Sequence, residues 1–139
     1  MTAPVPVVRL IVTDAKGRVL LLERAATRHA LGAWCLPGGK VDYCETVASA
    51  ASKEHREETS LDCVRLRFLV YQDSLPAEPG MMHCINLYFE CEASGEIALN
   101  EESTSHRWVS ASEMASINVA FGNDDALRRY WRERGEDRG

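Results

Sequence analysis

Gly39–Leu61 reads GKVDYCETVASAASKEHREETSL and carries four glutamates, Glu45, Glu54, Glu57 and Glu58. The run from Thr46 to Thr59 has no Gly or Pro and is rich in alanine, so its propensity predicts a helix. On that helix Glu54, Glu57 and Glu58 stand at i, i+3 and i+4 and share one face about 100° wide. Val47, Ala50 and Ala51 fall on or beside the same stripe, so its first half can pack on a sheet while its second half carries charge. Ser49, Ser52, Lys53 and Arg56 cover the solvent side. Like charges held this close on a semi-buried face call for a cation in front of them. The preceding Leu36-Pro37-Gly38-Gly39 predicts a tight glycine turn. A loop leading into an acidic helix face reads as a site for a hard divalent metal. The competing reading is a solvated acidic face paired with Lys53 and Arg56. Glu45 and the Pro-Gly-Gly turn, both in register with the helix, weigh against it.

Outward from this segment the chain alternates strands and helices. Val5–Thr13 is rich in Val, Ile and Leu and predicts a strand. Asp14–Gly17 is a turn, and Val19–Glu23 returns to complete a hairpin. A polar loop spans 24–32, and Ala33–Leu36 is a short extended piece. Further on come strands at Leu66–Ser74, His83–Glu92 and Arg107–Val109, with a two-proline loop at 75–80. Helices are predicted at Ser110–Ile117 and Asp124–Arg134, and the charged tail 135–139 is expected to fray. No repeat or long linker divides the chain, so 1–139 reads as one domain. The class is α+β, with helices on a mixed sheet buried on both faces.

Sixteen basic residues against 21 acidic ones give a net charge of −5. That balance argues against binding a nucleic-acid polymer through its backbone, which needs Lys and Arg to neutralise phosphates. Five cysteines, Cys35, Cys44, Cys63, Cys84 and Cys91, form no CxxC pair. They read as reduced thiols of a cytoplasmic protein, with no paired spacing to mark a zinc site. The N-terminus has the features of neither a signal peptide nor a membrane span.

The segment resembles the signature of the Nudix hydrolases. Gly39, Glu45, Glu54, Glu57, Glu58 and Leu61 stand at the matching places. Leu20–Leu22, Trp34-x-Leu36-Pro37-Gly38-Gly39 and the late Trp108 also look like the family, so the resemblance covers Val5 to Ile117. A long pattern of spaced acids is far more specific than a short glycine motif. Three positions depart from it. Lys53 replaces an arginine that braces the first glutamate, keeping the charge but losing the bidentate fork. His55 occupies an apolar place. Ser60 stands where glycine usually ends the helix, at a cost of roughly 1 kcal/mol if that residue needs positive φ.

The resemblance implies an α/β/α sandwich around a mixed sheet, the Nudix fold. It implies Mg²⁺ or Mn²⁺ held by Glu57 and Glu58 with the Gly38 carbonyl, and Glu54 as a ligand or general base. Glu45 would be structural or outer-shell. MutT-like members often carry a further acid six residues before the late tryptophan, which is Glu102 here, with Glu101 beside it. An ordinary loop acid is the alternative for Glu102. Arg24, Gly39, Lys40 and Asn123 stand as candidate substrate contacts, and Arg9 and Arg28 as further phosphate ligands. For Asn123, capping the last helix is the favoured role. His29, His83 and His106 read as surface or packing residues, and Trp34, Tyr71, Tyr88 and Phe89 as core rather than base-stacking. Cys44 is a bystander.

The implied reaction is water attack on a diphosphate bond of a nucleoside diphosphate derivative, with a (deoxy)nucleoside triphosphate first among substrates. ADP-ribose or another nucleotide sugar is the alternative substrate. A nucleotide sensor that does not cleave, and an isomerase or other non-hydrolase on the same fold, are the alternatives of other classes. Many members of this kind are homodimers.

Overall fold

The structure is a computed structural model that describes residues 3–25 and 33–135. β1 (Val5–Thr13) is the hub of the sheet. It runs parallel to β6 (Cys84–Ser94) along its whole length, from Val5↔Cys84 to Thr13↔Glu92. β5 (Asp62–Ser74) pairs antiparallel with β6 and forms that edge. On the other side β1 meets β2 (Val19–Arg24) at Thr13↔Val19. β2 in turn carries β3 (Trp34–Cys35) and β7 (Ser103–Val109).

The β1–β2 hairpin closes on a firm turn. Asp14 Oδ1 accepts from the Lys16 and Arg18 amides, both at 2.9 Å, and Gly17 adopts φ 78°. Its arms then part, because β4 (Gly38–Lys40) takes the Val7–Arg9 edge of β1. This corrects the predicted glycine turn. Gly38 and Gly39 are paired strand residues, and neither has positive φ. Close approach explains the glycines instead: a Cβ on Gly38 would sit 2.0 Å from the Val8 carbonyl oxygen, and one on Gly39 would sit 2.5 Å from the Glu54 carboxylate.

Alternation along β1 sends side chains to two cores. Val8, Leu10 and Val12 join Leu20, Leu22, Phe89 and Cys91 beneath α1 (Val47–Thr59), which contributes Ala50 and Ala51. Ile11 faces the opposite core with Val19, Leu21, Leu36 and Tyr88. There the sheet is covered by α2 (Ala111–Met114) and α3 (Asn123–Arg134), through Met114, Leu127, Tyr130 and Trp131. The result is a mixed sheet between helices, as expected. No helix of the described residues is long and apolar enough to cross a membrane.

Three element boundaries differ from expectation for visible reasons. β5 starts at Asp62, not Leu66, because Arg65 at φ 57° makes a bulge that breaks the alternation. β7 starts at Ser103, since its polar first half is a strand by virtue of pairing with β2. α2 stops at Met114, although Ser110 and Glu113 form the capping box that starts it.

Candidate active site

α1 is fixed at both ends before it presents any acid. Thr46 caps its start by accepting from the Ser49 amide at 3.1 Å. Ser60 caps its end in the left-handed conformation, φ 64°, and its hydroxyl donates to the Ala98 carbonyl at 3.0 Å. The position does need positive φ, and the serine side chain gains a hydrogen bond there that glycine lacks.

The four motif glutamates divide into two settings. Glu45 is balanced: its Oε1 accepts from the Asp42 amide at 3.0 Å, and its Oε2 lies 2.8 Å from Lys53 Nζ. The same ammonium reaches Asp42 at 2.9 Å. Lys53 thus braces Glu45 as a point charge, and this bridge holds the Glu45 carboxyl below its ordinary value.

Glu54, Glu57 and Glu58 occupy the other setting. Glu57 is exposed, Glu54 half-buried and Glu58 buried against β4, where the Gly38 N–H donates to its Oε2 at 3.3 Å. Burial pushes the Glu58 carboxyl up to about 8; the Gly38 N–H opposes the rise, and Glu102 and Glu54 add to it. Burial also raises Glu54, followed by the charge of Glu57. Lys53 stands 3.9 Å from Glu54 and moderates that rise, while Glu102 strengthens it.

Glu102 thus acts through its charge on both Glu54 and Glu58. It is held at the mouth of β7, where its carbonyl accepts from the Ala25 amide at 3.1 Å and its own amide donates to Asn100 Oδ1 at 3.1 Å. These carboxylates are not drawn into a closed cage. Among the described residues, the metal-ligating triplet with donor atoms mutually within 4.8 Å is His55, Cys63 and Cys91.

A cationic pocket adjoins Glu58. Arg9 and Arg24 each place a guanidinium carbon 4.9 Å from the centre of the Phe121 ring. Both Nε atoms are buried with no partner among the described residues. Cys35, buried at its floor, feels the charges of Arg9, Arg24 and Glu58 together, although burial dominates and raises its thiol. Two arginine donors with unmet hydrogen-bonding capacity beside an aromatic face suit a phosphorylated ligand.

Phe121 and Gly122 both adopt left-handed φ, 62° and 70°. Gln72 pins their loop by donating to the Gly122 carbonyl at 3.1 Å while accepting from Asn86 at 3.0 Å and the Tyr88 hydroxyl at 2.8 Å. Phe121, Gln72 and Asn86 escaped the sequence reading. They are scattered along the chain, and no local spacing marks them.

The remaining candidates land in varied places. Lys40 is exposed on β4, opposite Val7, and Gly39 backs Glu54. Asn123 is fully buried: its Oδ1 accepts from the Leu36 amide at 3.0 Å, and its Nδ2 donates to the Tyr88 hydroxyl at 3.1 Å. It does not cap α3, whose N-cap is Gly122 without a side-chain bond. Tyr88 and Phe89 belong to the core, whereas Tyr71 is exposed. Arg28 and His29 lie outside the described residues.

A family model described as the NUDIX domain matches residues 3–130. The nucleoside triphosphatase NudI of Salmonella typhimurium is 31% identical over 129 residues, covering 81% of this chain and 88% of that protein. An 8-oxo-dGDP phosphatase of Danio rerio is 33% identical over 70 residues, which is 50% of this chain but 21% of that longer protein. Among solved structures, a MutT protein of Methanosarcina mazei superposes with a TM-score of 0.84 at 25% identity, covering 96% of both chains. The NUDIX domain of Shewanella oneidensis NrtR, solved with ADP ribose, shares the fold at 17% identity, with a TM-score of 0.80 and coverage of 96% of this chain and 90% of that one.

Proposed function

The chain belongs to the Nudix family and is a Nudix pyrophosphohydrolase, and from that premise we propose that it hydrolyses a (deoxy)nucleoside triphosphate to the monophosphate and pyrophosphate with the help of a divalent metal. The observation that carries this reading is the unbalanced carboxylate group Glu54, Glu58 and Glu102 beside the Arg9–Phe121–Arg24 pocket. NudI, which matches over most of both lengths, is a nucleoside triphosphatase, and that supports the substrate class.

The donor set fits a hard cation. Carboxylate oxygens with a backbone carbonyl are the ligands of Mg²⁺ or Mn²⁺. Burial first, and neighbouring acids second, raise the carboxyls of Glu54 and Glu58, and a cation among them would favour their charged forms. Glu54, Glu57 and Glu58 with the Gly38 carbonyl would hold the ion. Bound there, it neutralises the diphosphate and lowers the pKa of water.

The chain's own groups do the rest. Arg9 and Arg24 receive phosphate oxygens, and the Phe121 ring against which both guanidiniums stack holds them in place. Glu102, whose charge acts on Glu54 and Glu58 from the mouth of β7, accepts the proton of the attacking water, with Glu54 as the other base within the cluster. Glu45 stays out of the reaction, because Lys53 and the Asp42 amide already engage its carboxylate.

The test is a screen of nucleoside triphosphates, diphosphates, nucleotide sugars and dinucleoside polyphosphates with Mg²⁺ and Mn²⁺, read by phosphate release and product mass. Monophosphate and pyrophosphate from a triphosphate are expected. Preferred cleavage of ADP-ribose would transfer the reading to nucleotide sugars. Tight binding without product over hours would make the protein a sensor, and a product of unchanged mass an isomerase. Lys53 and Ser60, the departures that favour a sensor, both fit their places: one braces Glu45, the other caps α1.

A further inference from the structure

His55 takes an apolar place of the signature, yet it is fully buried and its Nε2 has no hydrogen-bond partner among the described residues. A buried polar nitrogen left without a partner is destabilising, so the site needs an explanation. One ring nitrogen of His55 and the sulfurs of Cys63 and Cys91 all lie within 4.8 Å of one another, and the two sulfurs are 3.1 Å apart. We propose that His55, Cys63 and Cys91 form a buried site for one thiophilic divalent cation of the zinc class, distinct from the glutamate site.

The donors come from three elements, α1, β5 and β6, so no local spacing announces them. Two thiolates and an imidazole are soft to borderline ligands that select zinc or copper(I) over magnesium. Charge decides between those two. Two thiolates and a neutral imidazole cancel a divalent ion and leave no net charge in the core, whereas copper(I) would leave one uncompensated negative charge. Tetrahedral zinc with its sulfurs at about 2.3 Å needs them about 3.8 Å apart, so they would open by less than 1 Å. Cys63 is half-buried, which leaves a fourth position within reach of water.

The hydrogen bond between the two thiols, which lowers Cys63, raises Cys91 in turn, so the pair as it stands shares one proton that a bound metal would displace. A disulfide fits the strands less well. Cys63 pairs with Ala93, which makes Cys91 a diagonal neighbour. Diagonal residues lie about 7–8 Å apart, against an upper limit of about 6.8 Å between the Cα atoms of a disulfide.

The full chain, reduced and stripped of metal, is titrated with Co²⁺ and then Zn²⁺. The expected result is a thiolate-to-cobalt charge-transfer band saturating at one equivalent and erased by one equivalent of Zn²⁺. The glutamate site has no sulfur and cannot give that band, so Glu57→Gln should retain it, while Cys91→Ala and His55→Leu should lose it. Wild-type protein supplies a readout independent of variant folding: Zn²⁺ should slow alkylation of Cys63 and Cys91 at least tenfold by mass spectrometry, and leave Cys44 unaffected. No thiolate band in the wild type, a band that survives both substitutions, or equal alkylation with and without Zn²⁺ would each overturn the site. So would formation of a Cys63–Cys91 disulfide in a protein that takes up no zinc after reduction.

Discussion

Two groups of acids, one at the approach to α1 and one on its later turns with Glu102 from the mouth of β7, are treated in opposite ways. Glu45 and Asp42 share the ammonium of Lys53 and are at rest. Glu54 is half-buried and Glu58 buried, both feel the charge of Glu102, and Lys53 reaches Glu54 no nearer than 3.9 Å. A paired carboxylate is pulled below its usual range; a crowded and buried one is pushed above it. The first arrangement is finished by the protein itself, and the second asks for a cation from outside.

Removing a charge from each group should break the comparison most sharply. Glu58→Gln or Glu57→Gln should lower kcat by on the order of a thousandfold, about 4 kcal/mol in barrier, with the far-UV spectrum unchanged. Turnover near the wild-type rate in either variant would end the metal-cluster account.

The pH response should be the next largest. Glu58 sits at about 8 in the fold against an ordinary 4.5, so between those values the folded chain holds a proton that the unfolded chain has released. Ion-free stability therefore falls as pH rises from about 4.5 to about 8. The full shift sets a ceiling on the order of 5 kcal/mol. Thermal melts should show Mg²⁺ raising Tm at pH 8 far more than at pH 5, and Glu58→Gln flattening the ion-free slope. A flat wild-type profile would contradict the buried charge.

The two glycines of β4 sharpen the contrast between scaffold and chemistry. Gly38→Ala drives a Cβ into the Val8 carbonyl, a backbone group, and should cost about 1–3 kcal/mol of stability in denaturant titrations. Gly39→Ala meets the movable end of Glu54 instead. It should leave stability nearly intact and cut kcat roughly tenfold. Equal effects of the two on stability would remove the distinction.

The smallest effects belong to the balanced group and the cap. Lys53→Arg should keep kcat within about threefold and Lys53→Ala within about tenfold, because the lysine acts through Glu45. Ser60→Gly should change stability by less than about 0.5 kcal/mol, since relief of the left-handed backbone offsets the lost bond to Ala98. A larger drop would show that the hydroxyl, not the backbone, secures the cap.

The helix and the position of its acids were legible because each depends on neighbours within a few residues. The alanines and the i, i+3, i+4 glutamates carry their own periodicity, whereas the capping role of Thr46 appears only in the structure. Gly38 and Gly39 misled for a physical reason: two glycines that permit a turn also permit a strand pressed against another backbone. β5 began unnoticed because the bulge at Arg65 spoils its alternation. The Arg9–Phe121–Arg24 pocket and the His55–Cys63–Cys91 group were out of reach, since each joins residues whose proximity the sheet alone creates.

Asn123 shows how far that dependence extends. Its buried amide holds the Leu36 N–H, 87 residues earlier in the chain and two residues before the glycine that meets Glu58. The lead-in to the acidic motif is thus moored to the start of the last helix. Loss of that helix would strip a partner from a buried amide at the foot of β4, so ion affinity at the glutamates becomes a gauge of whether the C-terminal segment is seated.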